Sequence, residues 1–161
     1  MVDVVSTQRI YLVRHAKAGS RSRWVGSDRV RPLTEKGRAQ ADAIRDQLTG
    51  VGLTRIVSSP YTRCWETVVP LSAALGLEIE ESMAVAEGTL LNESASVLDV
   101  GPDEVVAVCS HGDVIGDLLG HLERLGVDLG DGPRCEKGST WVLDVRNGRV
   151  TTATYVPPPA E

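Results

Sequence analysis

The chain has 161 residues, a net charge of −5, 42% hydrophobic and 24% charged residues. That is long enough for one domain (1–161, core about 8–156) with a sizeable core and no staples. The acidic balance excludes a general binder of nucleic acid or anionic membrane. No stretch approaches the roughly 20 apolar residues of a membrane span. The first nine residues lack a signal peptide's basic start and apolar centre. Three cysteines without CxxC spacing point to reduced thiols, and with the missing signal to a cytoplasmic home.

Ile10-Tyr11-Leu12-Val13 reads as a buried strand that delivers Arg14 and His15 to its carboxyl end. Ligands of open α/β sheets bind just outside such ends. Residues 9–31 carry seven cations against one acid, Asp28, so this stretch is net +6 while the remainder is −11. Residues 19–28, rich in Gly and Ser, read as a loop. Arg31-Pro32-Leu33-Thr34-Glu35 opens a helix with Thr34 as N-cap, and Gly50 and Gly52 stop it. Gly37 near its start implies close packing or a turn-like first segment.

Residues 55–58 form a second buried strand, ended by Ser59-Pro60. Residues 61–75 read as a helix stopped by Gly76, with Pro70 expected to kink or split it. Residues 77–80 suggest a minor strand, residues 83–91 have no period, and Asn92 is placed to cap a short helix through Val100. Residues 105–109 are the clearest core strand; they lead through Ser110 to His111 and a helix ending at Gly126. Two strand-like runs flank Arg146-Asn147-Gly148-Arg149, a strong hairpin signal. A Pro-rich tail, 157–161, ends the chain as an extended or frayed segment. The alternation predicts a three-layer α/β/α fold with a mostly parallel central sheet and a C-terminal β-hairpin.

In a parallel sheet three strand ends bring Arg14, His15, Arg63 and His111 to one edge. Two arginines and two histidines there suit a dianion, because guanidinium forks match phosphate oxygens. Rival chemistries fit poorly. Among the three histidines, His111 and His121 lie about 15 Å apart along a helix and roughly 80° off one face, so one helix cannot aim both at a metal. A cysteine phosphatase needs Arg six positions after Cys, where this chain has Pro70, Ile115 and Trp141. The cysteines read as small core or loop residues. Trp24 reads as a loop residue that covers core or stacks on a substrate base.

Arg14-His15-Ala16 resembles the Arg-His-Gly signature of the histidine phosphatase superfamily, which has the phosphoglycerate-mutase-like fold, with Ala16 in place of the usual glycine. Residues 58–67, Ser110-His111-Gly112-Asp113 and residues 31–41 resemble the family's second arginine motif, second histidine motif and first helix. The short chain and the Arg-His-Ala-Lys-Ala form resemble the SixA-like branch, and residues 19–24 with 67–71 resemble phosphatase-like domains attached to some bacterial Nudix hydrolases. The resemblance implies a metal-independent phosphatase without cofactor. His15 would be the nucleophile, Arg14, Arg63 and His111 would hold the phosphoryl group, and Glu87 would be the proton donor, with Glu93 as its rival. Lys17 and Arg21 would form a cationic rim. The implied partner is a phosphohistidine protein or a phosphorylated small molecule of nucleotide type. Alternatives are a mutase-type phosphotransferase and a non-catalytic phosphate-binding module on the same fold. Oligomeric state is not legible.

Overall fold

The computed structural model describes residues 7–160. The reading of residues 1–6 as lacking a signal peptide, and Glu161 of the tail, lie outside the described residues. Six strands, β1 (Gln8–Arg14), β2 (Arg55–Ser58), β3 (Ile79–Glu81), β4 (Val105–Ser110), β5 (Thr140–Arg146) and β6 (Arg149–Val156), form one sheet in the order β3-β2-β4-β1-β5-β6. The first four pair in parallel, while β5 runs antiparallel to both β1 and β6.

Alternation along the strands builds the two cores. Ile10, Leu12, Val106 and Val108 face one side, where they meet α4 (Gly112–Arg124) through Val114, Ile115, Leu118 and Leu122. Tyr11, Val13, Ala107 and Cys109 face the other. There they meet α1 (Glu35–Leu48) through Ile44 and Leu48, and α2 (Thr62–Leu75) through Cys64, Val68 and Leu71. The result is the expected α/β/α sandwich. Among the described residues no helix is long and apolar enough to cross a membrane.

Three local expectations need correction. Pro70 does not split α2, which runs on as one helix, because the buried face of Cys64, Thr67, Val68 and Leu71 holds it across the missing backbone donor. Asn92 caps nothing; it lies inside α3 (Leu91–Ser94), whose N-cap is Leu90, and the segment continues only as a 3-10 turn to Leu98. The minor strand sits later than its sequence suggests, at Ile79–Glu81. The hairpin forms as expected, with Asn147 and Gly148 both at positive φ (52° and 74°), as a type I′ turn requires.

Candidate active site

Register brings the strand ends together. Arg14 pairs with Ser110 across β1 and β4, and Ser58 pairs with Cys109 across β2 and β4. His15, Ser59 and His111 therefore leave the sheet side by side at one edge. The His15 amide donates to the Ser110 carbonyl at 3.0 Å, extending the ladder one residue beyond β1.

His15 is buried, and its Nδ1 lies 2.8 Å from the Ala16 carbonyl. A carbonyl only accepts, so Nδ1 carries the proton and the lone pair of the neutral ring sits on Nε2. Burial is the main force holding the imidazole neutral, pushing its pKa to about 3. The Ala16 bond opposes that, and the charges of His111, Arg63 and Arg14 add to it. Thr67 fixes the turn: its hydroxyl accepts from the Ala16 amide at 2.9 Å and donates to the Arg63 carbonyl at 2.7 Å. Ala16 is fully buried against Leu33 and Ala41 and is not among the positive-φ residues, so its methyl fills a contact without straining the backbone.

His111 is the N-cap residue of α4, with Nε2 at 2.8 Å from the Ser59 hydroxyl and 3.5 Å from Cys64 Sγ. Its ring meets His15 edge-on at 5.5 Å and Tyr61 at 4.8 Å. Its Nδ1 is buried without a partner among the described residues, and so are Arg14 Nε and Arg63 Nε. The two arginine nitrogens are donors, and His111 Nδ1 is a third in the tautomer in which Ser59 donates to Nε2. Arg14 is tied by Nη1 to the Cys135 carbonyl at 2.5 Å, and a Cβ at residue 112 would come within 3.0 Å of its guanidinium carbon. Gly112 is thus what lets α4 start against Arg14.

Arg63 is completely buried in the first turn of α2 and stacks 4.9 Å from the Tyr61 ring. It donates to the Asp28 carbonyl (2.9 Å), the Asp28 carboxylate (3.1 Å) and the Glu87 carboxylate (3.2 Å). Glu87 also accepts from Arg21 at 2.9 Å. Its loop is held from two sides, with Ser110 donating to the Val85 carbonyl at 2.6 Å and the Gly88 amide donating to Asp113 at 2.8 Å.

A pocket of about 520 Å³ opens over this edge, lined by Arg14, His15, Arg21, Glu87 and His111 among others. Arg14, His15, Glu87 and His111 thus line it, and Arg63 does not but donates to Glu87, which does. Lys17 does not line it; its side chain is exposed, and its carbonyl instead receives the Thr34 amide at 3.0 Å. Glu93 is exposed on α3 and His121 lines a different cavity of about 710 Å³. Trp24 is part-exposed and donates to the Ser27 carbonyl at 2.8 Å within its own loop.

Sequence reasoning gave no role to Asp28, Arg31, Thr67 or Lys137. Asp28 sits between three arginines: its carboxylate takes Arg31 Nε at 2.9 Å and Arg63 at 3.1 Å, and lies 3.6 Å from Arg21. Burial pulls its pKa up, but the Arg31 hydrogen bond and the charges of Arg63, Arg31 and Arg21 outweigh this and hold it below the usual value. Its signal was present as the lone acid of a basic stretch. Arg31 is buried and also donates to the Gly19 carbonyl.

The profile of the histidine phosphatase superfamily (branch 1) matches residues 10–92. An 8-oxo-(d)GTP phosphatase of Mycolicibacterium smegmatis is 35% identical over 98% of this chain, which spans about half (50%) of that protein's length. A phosphohistidine phosphatase SixA homolog of Haemophilus influenzae is 32% identical over 70% of this chain and 76% of its own. Among solved structures, the phosphohistidine phosphatase SixA complexed with tungstate superposes with a TM-score of 0.73 at 20% identity, covering 92% of this chain and 94% of that one. A SixA-type protein from Nakamurella gives 0.71 at 25% identity, over 98% of this chain and 100% of its own. With its motifs on one sheet edge and its profile match over residues 10–92, this chain belongs to branch 1 of the histidine phosphatase superfamily.

Proposed function

We propose that the chain is a phosphatase that passes a phosphoryl group through His15 to water. The observation that carries this reading is the neutral, buried His15 with its proton fixed on Nδ1 by the Ala16 carbonyl, which frees Nε2 as the nucleophile. In the first step the Nε2 lone pair attacks phosphorus and the bond to the leaving-group oxygen breaks. That oxygen takes a proton that Glu87 has picked up from solvent once released from Arg63, and phosphohistidine remains. In the second step a water oxygen attacks phosphorus, gives its proton back to Glu87, and the P–N bond returns its electrons to Nε2. Arg14, Arg63 and His111 supply the unpartnered donors Nε, Nε and Nδ1 for the equatorial oxygens, so catalysis is mainly positioning and charge stabilisation. Glu87 reaches its post when the incoming phosphoryl group takes over Arg63, from which Glu87 now accepts.

The substrate class is a nucleotide-type phosphate or a phosphohistidine protein, supported by the names of the two relatives. The test uses an aryl phosphate with the parent and His15→Ala. The parent is expected to turn it over and to yield acid-labile, base-stable phosphate on His15 after rapid quenching. His15→Ala is expected to lose at least about 1,000-fold in kcat, in line with removal of a catalytic nucleophile. Activity that survives the substitution would overturn the mechanism.

A further inference from the structure

Lys137 is the cation the reaction above leaves without work. It lines the pocket from the loop before β5; its carbonyl accepts from Gln40 Nε2 at 3.5 Å, while its side-chain ammonium has no hydrogen bond or ion pair among the described residues. Partial burial and the charges of Arg14, Arg31, Lys17 and Arg21 together pull its pKa below the ordinary lysine value. Arg31 lines the same wall with Nε committed to Asp28 and Nη1 to the Gly19 carbonyl, and its Nη2 makes no hydrogen bond among the described residues. An ammonium without a counter-ion beside other cations, of which Arg31 is paired with Asp28 and Arg21 with Glu87, is unfavourable until an anion joins it. The transferred phosphoryl group has three free oxygens, already matched by the unpartnered donors of Arg14, Arg63 and His111. Space points the same way. At about 30 Å³ per water-sized oxygen, a phosphate of four oxygens fills roughly 120 Å³, whereas the pocket holds about 520 Å³.

We propose that Arg31 and Lys137 form a second anion subsite beside His15, which takes a phosphoryl group on the leaving side of the one transferred. The preferred substrate then carries two phosphoryl groups, and Lys137 determines that preference. This rests on the His15 reading only for which phosphoryl group is transferred; the subsite itself is a matter of binding.

Binding of inorganic pyrophosphate, orthophosphate and 2-phosphoglycolate is therefore measured by calorimetry. The proteins are the parent, Lys137→Gln, Lys137→Arg and Arg38→Gln, the last removing an equal charge from the exposed face of α1. The parent is expected to bind pyrophosphate at least about tenfold more tightly than the other two ligands. Lys137→Gln should cut that preference at least fivefold with orthophosphate binding little changed, while Lys137→Arg and Arg38→Gln should retain it. The proposal is overturned if Lys137→Gln weakens pyrophosphate and orthophosphate alike or leaves the preference intact. It is overturned equally if phosphoglycolate matches pyrophosphate, since the subsite would then read a carboxylate. The same titrations on His15→Ala keep the two readings apart. A preference that persists there supports the subsite whether or not His15 proves to be the nucleophile.

Discussion

At the scale of single residues, His15 has two properties set by one environment. Burial removes the water that would stabilise an imidazolium, and the Ala16 carbonyl holds the proton on Nδ1. The consequence for stability has a definite sign. Folding lowers the pKa from 6.5 to about 3, so between those values the unfolded chain takes up a proton that the folded chain refuses. Stability contributed by neutral His15 is intact above pH 6.5 and is lost as pH falls towards 3. At pH 4.5 the loss is roughly 2 to 3 kcal/mol at 1.36 kcal/mol per pH unit. Urea unfolding of the parent and of His15→Gln at pH 7 and 4.5 checks this: the parent should lose that much more than the variant, and equal losses would contradict it. Arg14, His15, Arg63 and His111 were legible because each sits in a short motif at the end of a strand or the start of a helix. Thr67 and Asp28 were not, because their roles come from contacts with residues far away in the chain. Thr67 meets Ala16 across 51 positions and Asp28 meets Arg63 across 35.

Among the elements, α1 shows how a helix remote from the chemistry is coupled to it. The Lys17 carbonyl, two residues beyond His15, accepts from the Thr34 amide at 3.0 Å and the Thr34 hydroxyl at 3.2 Å. That carbonyl passes so close to the first turn of α1 that a Cβ on Gly37 would lie 2.0 Å from its oxygen. The sequence flagged Gly37 as a poor helix former, pointing to close packing or a turn-like first segment, and this carbonyl supplies the close packing. Gly37→Ala should therefore cost roughly 1 to 3 kcal/mol, the usual range for forced overpacking, despite the better helix propensity of alanine. Thermal unfolding reads the cost, and aryl phosphate turnover should fall with it as residues 15–17 shift; a more stable variant would refute the contact. Boundaries of α1, β2 and the hairpin followed from capping and turn residues. Pro70 misled because local propensity lost to the packing of α2 on the sheet, and Asn92 because a four-residue helix has too little periodicity to locate.

Over the whole molecule, charge is divided as the sequence indicated: a basic segment, residues 9–31, folds around the pocket while the rest of the chain is strongly acidic. The two fields oppose each other for an anionic substrate, and salt decides which one governs encounter. The pocket cations lie nearest any anion bound there, and exposed charges beyond about 10 Å are screened at 0.1 M salt. Local attraction should dominate at short range. The kcat/KM for an anionic aryl phosphate is expected to fall several-fold between 10 and 300 mM salt, with kcat unchanged. A rise with salt would mean that the acidic body governs approach. This division was fully readable from the sequence, whereas its geometry required the sheet order, which places β1 between β4 and β5 and so sets Arg14 beside the loop that carries Cys135 and Lys137.

The carboxylates of Asp28 and Glu87 on Arg63 give this pocket resident anions of its own. A guanidinium with no exposure to solvent would be costly to strip bare each time product departs. On the reading proposed above, phosphate leaving Arg63 is replaced there by tethered side chains that never diffuse away. Each turnover is thus an exchange of ligands rather than the filling and emptying of a hole. Such an exchange sacrifices some affinity for phosphate and in return keeps the enzyme from being trapped by its own product.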